Sequence, residues 1–254
     1  MPSAGPPFAG GRARIDAPAK LTLTLRVTGV RDDGYHLLDA EMVSVDLADT
    51  LEVGPGDGLV VVGATGAPVP SDGTNLVCRA LRAVGRRASV RLTKRIPAGA
   101  GLGGGSADAA AVLRWAGCSD LSVAAGLGGD VPFCLFGGRA RVSGIGELVS
   151  PVPLGELAGA TFTLLTPPFG LSTVEVYRAW DRLGGPSGTN GNDLEPAALA
   201  VEPRLAAWRD RLGEGTGETP RLAGSGSTWW VPGEHPGSHR VVVRACALPA
   251  PVAL

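Results

Sequence analysis

Apolar and polar residues alternate along several stretches of the chain, which is the pattern of half-buried β-strands. The clearest alternation is Leu21-Thr-Leu-Thr-Leu25, inside a predicted strand at 15–27. Arg31-Asp-Asp-Gly-Tyr-His36 follows it and is typical of a turn, because Asp-Gly is a strong hairpin signal. The pattern predicts further strands at 40–47, 50–53, 59–62, 88–93, 139–142, 161–165 and 241–247, with 130–136 leading into strand-like sequence. The stretch 222–231 is predicted to be a second glycine turn that leads into a strand.

Apolar residues spaced three and four apart predict amphipathic helices in other stretches. These helices cover 75–84, 106–115, 121–127, 172–183, 192–200 and 203–212. Ser106 stands at the predicted N-cap of the second helix, since a serine hydroxyl accepts a backbone N–H there. Because the strands do not alternate strictly with the helices, the predicted fold class is α+β rather than a doubly wound sheet.

A shift in composition near Val149-Ser-Pro-Val-Pro153 predicts a domain boundary. We therefore divide the chain into a loose tail at 1–14, an N-terminal domain at 15–150 and a C-terminal domain at 151–254. A chain of 254 residues is long enough for two modest domains that share a cleft.

The composition argues against several classes of partner. The chain is 44% hydrophobic and 19% charged with a formal net charge of -1, so it has no overall basic field for nucleic acid or an anionic membrane. No apolar run approaches the roughly 18 residues of a membrane span, and the first residues lack the apolar core of a signal peptide. Its 4 cysteines form no CxxC pair, which favours reduced thiols over structural zinc and predicts a cytoplasmic protein.

A glycine-rich segment carries the strongest chemical signal in the chain. Five glycines fall within 99–105, between a predicted strand and a predicted helix. Backbone amides that converge at the start of a helix suit a phosphate group, because they and the helix dipole are both positive there. The P-loop motif Gly-x-x-x-x-Gly-Lys-Ser/Thr is absent from the chain. Gly99-Ala-Gly-Leu-Gly-Gly104 matches Gly-x-Gly-x-x-Gly, but no following strand ends in the acidic residue that a dinucleotide site needs.

Other motifs follow in a fixed order around this loop. They are Ala17-Pro-Ala-Lys20, Asp33-Gly-Tyr-His36, Gly129-Asp-Val-Pro-Phe133, Pro168-Phe-Gly-Leu-Ser-Thr173, Asn192-Asp-Leu-Glu-Pro196 and Ala223-Gly-Ser-Gly-Ser227. Together with the loop they resemble the GHMP kinase superfamily, and within it the family of 4-diphosphocytidyl-2-C-methyl-D-erythritol kinases. The resemblance covers roughly residues 15 to 247.

This resemblance implies a reaction and a fold. It implies transfer of the γ-phosphoryl group of ATP to the 2-hydroxyl of the substrate, a step of the non-mevalonate route to isoprenoid precursors. The implied fold has two domains, with ATP and the small-molecule substrate meeting in the cleft. Lys20 and Asp130 match the catalytic residues of the family: Asp130 would accept the hydroxyl proton, and Lys20 would hold Asp130 ionised and stabilise charge on the transferring group.

The remaining site residues are likewise carried over from the resemblance. On the ATP side they are Asn75, Lys94, Pro97, Ala98, Gly99, Ala100, Gly101, Leu102, Gly103, Gly104, Gly105, Ser106 and Ala107, with Asn75 and Lys94 near the adenine. On the substrate side they are Tyr35, His36, Phe169 and Thr173 with Asp130, and the third glycine motif is Gly224, Ser225, Gly226 and Ser227. Mg²⁺ is expected with ATP, but no carboxylate stands out as its ligand, so the metal site stays open.

Some features depart from the family pattern and leave alternatives. Thr22 stands where the family has an asparagine, and the segments after Asp108 and around Pro232 are short. The alternatives are another GHMP kinase for a small alcohol such as homoserine, and a nucleotide-binding module without catalysis. A dinucleotide-dependent oxidoreductase is a more distant one. The chain is expected to act as a monomer or homodimer.

Overall fold

The computed structural model describes residues 12–63 and 68–253. Its strands, in chain order, are β1 (Ala13–Val30), β2 (His36–Gly54), β3 (Gly58–Val62), β4 (Ser89–Thr93), β5 (Arg139–Gly144), β6 (Leu148–Val152), β7 (Thr161–Leu165), β8 (Arg221–Leu222), β9 (Trp229–Pro232), β10 (Arg240–Arg244) and β11 (Val252–Ala253). Its α-helices are α1 (Leu76–Ala83), α2 (Gly104–Trp115), α3 (Leu121–Leu127), α4 (Val131–Phe136), α5 (Thr173–Arg182), α6 (Glu195–Val201) and α7 (Leu205–Thr216). The predicted α+β class is confirmed.

The strands form two sheets. The larger has the order β11-β1-β2-β4-β3, with β5 paired to β2 and β6 paired to β5. The smaller has the order β10-β7-β9-β8. All of these pairs are antiparallel except β3 with β4, which is parallel. Because β1 and β2 are long, they extend from the larger sheet toward the smaller one and reach both cores.

Two buried clusters hold the layers together. In the larger one, helix α2 packs on the sheet through a run of small residues, and the whole stretch 107–113 is buried. The smaller cluster joins the two sheets, with Leu21 and Val43 on one side and Leu164 and Val243 on the other. Burial of apolar side chains at roughly 25 cal/mol per Å² is the main stabilising contribution at both interfaces.

Several element predictions need correction. The strands predicted at 40–47 and 50–53 are one strand, β2, and β6 was not predicted. Helix α2 begins at Gly104 with Gly103 as its N-cap, so Ser106 lies inside the first turn rather than at the cap. The stretch predicted to lead into a strand, 130–136, contains helix α4, because Pro132 suits a first helical turn and a short apolar run is ambiguous when buried on all sides.

The ends of the chain also differ from the prediction. Strand β1 begins at Ala13, which is buried and pairs with Val53, so residues 13 and 14 are not tail; residues 1–11 lie outside the described part of the chain. Strand β11, rather than the strand at 241–247, is the final strand, and it pairs with β1 in the larger sheet. The division after residue 150 stays a prediction, and it would cut strand β6. Among the helices of residues 12–63 and 68–253, none has the length and apolarity to cross a bilayer.

Candidate active site

A cleft of about 450 Å³ lies where the glycine-rich loop meets both sheets. This volume is within the usual range for sites that hold small molecules. The predicted site residues that line it are Lys20, Asn75, Lys94, Pro97, Ala98, Gly99, Ala100, Gly101, Leu102, Gly103, Gly104, Gly105, Ser106, Asp130, Thr173, Gly224 and Ser225. The predicted residues outside its lining are Tyr35, His36, Ala107, Phe169, Gly226 and Ser227. The fold therefore gathers most of the predicted site from positions far apart in sequence.

The glycine loop is shaped by close backbone contacts. Gly101 has φ 76°, and a Cβ there would overlap the carbonyl oxygen of Ala223 and lie 2.8 Å from that of Gly226. Gly103 has φ 69°, and a Cβ there would lie 2.8 Å from Cγ of Lys20. Only glycine fits both positions, because each combines a left-handed backbone with a neighbour at contact distance.

The start of helix α2 opens into this loop. The backbone N–H of Ala107 donates to the carbonyl of Gly103 at 2.8 Å, so the amides before Ala107 precede the first α-helical bond. Such amides, together with the helix dipole, make the loop a suitable anion site. Ser106 lines the cleft within this first turn.

Lys20 and Asp130 form the charged pair of the cleft. Lys20 lies on β1 with its side chain 5% exposed, and its Nζ is 3.5 Å from Oδ2 of Asp130 and donates to Oγ1 of Thr22 at 3.1 Å. Asp130 precedes helix α4, but its carboxylate makes no capping bond and is 37% exposed. A carboxylate that is free of local bonds, open to the cleft and beside a buried ammonium is suited to proton transfer.

The third glycine motif forms one wall of the cleft. Gly224 has φ 58°, and a Cβ there would lie 2.9 Å from Nζ of Lys20. The hydroxyl of Ser225 is 3.0 Å from that of Thr173, which begins helix α5. Ser227 is buried and donates to the carbonyl of Phe169 at 2.7 Å, away from the cleft. The first two residues of the motif, Gly224 and Ser225, thus line the cleft, whereas Ser227 holds the motif in place from outside it.

The two residues predicted near the adenine are already engaged by the protein. The ammonium of Lys94 is buried, donating to Asp108 at 2.7 Å and also to Asp49. Asp49 in turn accepts the backbone amide of Ile96 at 2.9 Å. Asn75 caps helix α1, accepting the amide of Val77 at 2.8 Å. Both residues line the cleft, but the bonds seen here are structural, so their contact with adenine stays a prediction.

The cluster of Asp49, Lys94 and Asp108 ties together the two ends of the glycine loop. Lys94 precedes the loop, and Asp108 lies on the helix that follows it. Burial lowers the pKa of Lys94, but the two carboxylates outweigh this and the net shift is upward. Burial raises the pKa of Asp108 to about 7; Lys94 opposes this shift and Asp49 adds to it. Oδ1 of Asp108 has no hydrogen-bond partner.

This cluster leads to a prediction about stability and pH. Because the pKa of Asp108 is raised on folding, its favourable contribution is complete below about pH 4 and is lost as the pH rises through about 7. Asp108→Asn carries no charge at any pH, so we expect it to be more stable than wild type at about pH 8, by roughly 2–4 kcal/mol at most. Urea unfolding at about pH 5 and pH 8 measures the difference.

The control for this prediction is Asp57→Asn, which removes an exposed carboxylate. Its effect on the free energy of unfolding should be small at both pH values. A stability gain of Asp108→Asn that stays the same at the two pH values would contradict the titration of Asp108 in this range.

An aromatic group lies beside the cleft and reaches it through Tyr177. Tyr177 on helix α5 lines the cleft, and its ring centroid is 4.7 Å from that of His36. Burial raises the pKa of the Tyr177 phenol, with the charge of Asp130 as a smaller cause. His36 also meets Trp180 edge-on at 5.5 Å, and its Nε2 is 2.7 Å from Oδ1 of Asp181.

The structure departs from the sequence prediction in its choice of aromatic residues. Phe169 lies outside the cleft, and its ring packs against the guanidinium of Arg204 at 4.4 Å. Tyr177, which was not predicted, is the aromatic residue that lines the cleft. Tyr35 is 58% exposed beside His36, where its ring is free to contact a ligand. Nothing in the local pattern separates Tyr177 from the apolar side of its helix, so sequence reasoning misses it, as it misses Asp181, Asp49 and Asp108.

Comparison with known proteins agrees with this geometry. Residues 75–138 match the family model described as GHMP kinases N terminal domain. The chain is 39% identical over 255 residues to the 4-diphosphocytidyl-2-C-methyl-D-erythritol kinase of Paramagnetospirillum magneticum, which covers 84% of this chain and 86% of that one. The enzyme of the same name from Paracoccus denitrificans is 39% identical over 234 residues and covers 85% of each chain.

Solved structures give the same result. A crystal structure of 4-(cytidine 5'-diphospho)-2C-methyl-D-erythritol kinase superposes with a TM-score of 0.68 at 33% identity, over 88% of this chain and 91% of that one. The homoserine kinase of Cytophaga hutchinsonii has a TM-score of 0.59 at 17% identity, over 96% and 98%, and so shares the fold. With this identity over most of both lengths, the chain belongs to the 4-diphosphocytidyl-2-C-methyl-D-erythritol kinase family of the GHMP kinases.

Proposed function

We propose that this chain transfers the γ-phosphoryl group of ATP to the 2-hydroxyl of 4-diphosphocytidyl-2-C-methyl-D-erythritol. The single observation that carries the proposal is the Lys20–Asp130 pair, 3.5 Å apart, in the same cleft as the glycine loop. A module that only binds a nucleotide has no need for a free carboxylate beside a buried ammonium. A kinase needs both, because the acceptor must lose a proton while charge on the phosphoryl group is stabilised.

The reaction divides between the two residues. A carboxylate oxygen of Asp130 takes the proton of the acceptor hydroxyl while the hydroxyl oxygen bonds to the γ-phosphorus. The bond between the γ-phosphorus and the bridging oxygen breaks, and ADP leaves. Lys20 keeps Asp130 in place and stabilises negative charge near the transferring group. Thr22, which accepts a hydrogen bond from Lys20, limits the positions that the ammonium can adopt.

The glycine loop supplies the ATP site in this proposal. Residues 98–106 would place their amides around the phosphates, at the positive end of helix α2. Residues 12–63 and 68–253 contain no group of three or more His, Cys, Asp or Glu side chains that could hold a metal. Mg²⁺ would therefore be expected to arrive with the nucleotide, and Ser106, in the first turn of helix α2, would be a protein hydroxyl available to it. When bound, Mg²⁺ would supply charge neutralisation at the phosphates.

The aromatic group beside the cleft would bind the cytidine part of the acceptor. Tyr177 and His36 present adjacent rings, and Tyr35 exposes a third, so a flat base can stack among them. His36 can bond the edge of the base through the ring nitrogen that does not face Asp181. Thr173 and Ser225 line the same cleft as the Lys20–Asp130 pair, and their hydroxyls, 3.0 Å apart, would be available to the diphosphate.

The position of His36 leads to a second prediction. Because Asp181 holds Nε2 of His36, Asp181→Ala should leave the ring without a fixed orientation and raise KM for the cytidine substrate about 10-fold. KM for ATP and kcat should change little. Asp181→Asn keeps an oxygen that can accept from His36 and is the matched control, with a smaller change. Equal KM values for wild type and Asp181→Ala would contradict this role.

The identity of the product tests the proposed function itself. After incubation with ATP, Mg²⁺ and 4-diphosphocytidyl-2-C-methyl-D-erythritol, phosphorus NMR should show one new phosphate monoester signal without three-bond coupling to hydrogen, because the carbon that bears the 2-hydroxyl carries the methyl group and no hydrogen. The diphosphate signals of the acceptor should remain. A phosphate on another hydroxyl would overturn the proposed regiochemistry. A monoester formed only with homoserine would move the assignment to a different GHMP kinase.

A further inference from the structure

The Asn192-Asp193 pair marks the family in the sequence, yet neither residue lines the cleft. Both side chains are buried and fully engaged. Asn192 is 3% exposed and lies just before helix α6. Its amide nitrogen donates to the carbonyl of Leu222 at 2.9 Å and to that of Gly224 at 2.7 Å. Its oxygen accepts the amide of Leu194 at 2.9 Å. Asn192 thus forms hydrogen bonds to the residues on both sides of Ala223.

That turn lies directly beside the ammonium of Lys20. The carbon that a larger residue would place on Gly224 falls 2.9 Å from Nζ of Lys20 and 3.6 Å from Oγ1 of Thr22. Gly224 therefore forms a wall against which the ammonium rests. The same ammonium lies 3.5 Å from Oδ2 of Asp130. A shift of Gly224 would therefore change the space available to the ammonium, and with it the distance between Lys20 and Asp130.

The same segment is fastened to the strand that carries Lys20. The amide of Leu25 on β1 donates to the carbonyl of Gly191 at 2.8 Å, and the amide of Asp193 donates to the carbonyl of Leu25 at 2.9 Å. The carboxylate of Asp193 accepts the amide of Val27 at 3.0 Å and pairs with Arg26 at 2.6 Å. Residues 191–193 thus connect β1 to the turn at Ala223. The positions of Lys20 and of Gly224 beside it therefore both depend on this segment.

We propose that Asn192 is a positioning residue for phosphoryl transfer, which acts by holding Gly224 against the ammonium of Lys20. The proposal rests on the proposed kinase function. Asn192 touches neither nucleotide nor acceptor in this account. Its effect passes through Leu222 and Gly224 to Lys20, and from there to Asp130. Because placement within a fraction of an ångström matters for the chemical step, a small movement of the turn lowers kcat.

The test is Asn192→Asp, which keeps the size of the side chain and the acceptor for Leu194. It removes both N–H donors and places negative charge against the carbonyls of Leu222 and Gly224. We expect kcat to fall at least about 10-fold, with KM for ATP and for the cytidine acceptor unchanged. Glu195→Gln, a buried change in the same segment that does not touch this turn, should leave kcat unchanged.

A double-mutant cycle separates positioning from a general loss of structure. If Asn192 acts through Lys20, then Asn192→Asp should lower kcat in wild type but have no further effect in a Lys20→Met background. Equal fold losses in the two backgrounds would overturn the proposal. Unchanged kcat in Asn192→Asp would also overturn it, whereas absence of turnover by wild type would instead remove the kinase function on which it rests.

A second variant covers the case in which Asn192→Asp does not fold. In Gly224→Ala the added methyl group would displace the ammonium of Lys20, while Asn192 is unchanged. It should also lower kcat with little change in KM for the acceptor, and again without further effect in the Lys20→Met background. A Gly224→Ala enzyme with wild-type kcat would show that the wall does not set the position of Lys20.

Discussion

Replacement of Asp130 by Asn is expected to lower kcat by about 10²–10⁴-fold, which is the usual contribution of a positioned general base. Asn has the same shape but cannot take the proton of the acceptor hydroxyl. The carboxylate makes no capping bond to helix α4, so its loss should not unfold the protein. Dissociation constants for ATP and for the acceptor, measured by calorimetry, should stay close to those of wild type.

The separation of chemistry from binding is what makes this variant informative. Asp120→Asn is the matched control, since Asp120 caps helix α3 through the amide of Ser122 and lies outside the cleft. Because asparagine is about as good an N-cap as aspartate, this variant should keep the stability and the kcat of wild type. If Asp130→Asn turned over at the wild-type rate, Asp130 would not be the base, although the cleft could still bind both substrates.

Replacement of Gly101 by Ala is expected to have the second-largest effect, this time on the nucleotide. The added methyl group would collide with the carbonyl of Ala223 and approach that of Gly226, and the left-handed backbone of Gly101 disfavours any side chain. Both obstacles are backbone atoms, so the loop must move. We expect kcat/KM for ATP to fall by about 100-fold and the melting temperature to decrease.

Gly126→Ala is the control for this substitution. Gly126 lies on helix α3 with nothing within 4 Å of the added carbon, so the variant should behave as wild type or be slightly more stable. Retention of wild-type kcat/KM for ATP by Gly101→Ala would contradict the view that contact between the loop and the turn at Ala223 shapes the phosphate site.

Local patterns in the sequence were enough for the larger elements. The alternation around Leu21 predicted β1, and the spacing of apolar residues predicted α1 and α5, because strand and helix periods are visible over ten residues or so. The same patterns misassigned helix α4. Its residues 131–135 are all buried, so no polar face was present to reveal the helical period.

The site could be predicted only as far as local motifs reached. The glycine loop, Lys20 and Asp130 each stand in a recognisable segment, and all three line one cleft. The ion pair of Lys94 with Asp49 joins residues that are 45 apart in sequence. Nothing in the sequence around either residue indicates that the other is its partner. Tyr177 has the spacing of a core residue on α5, and only the tertiary position of His36 distinguishes it from one.

The role of Lys94 shows how a motif match and a structure differ in what they establish. The match placed Lys94 beside adenine, while the structure gives its ammonium two carboxylate partners in the protein. A buried ammonium that is paired in this way holds the loop by connecting the strand before it to the helix after it. Lys94 can therefore line an ATP site while its main role is to stabilise the glycine loop.

The most direct test of the account is the initial rate of ADP release by the purified wild-type chain with ATP, Mg²⁺ and 4-diphosphocytidyl-2-C-methyl-D-erythritol. Parallel reactions contain no acceptor, or homoserine in its place. We expect rapid release that saturates with the cytidine acceptor and background release in both parallel reactions. Release that does not depend on the cytidine acceptor, under conditions where calorimetry shows that ATP binds, would contradict it.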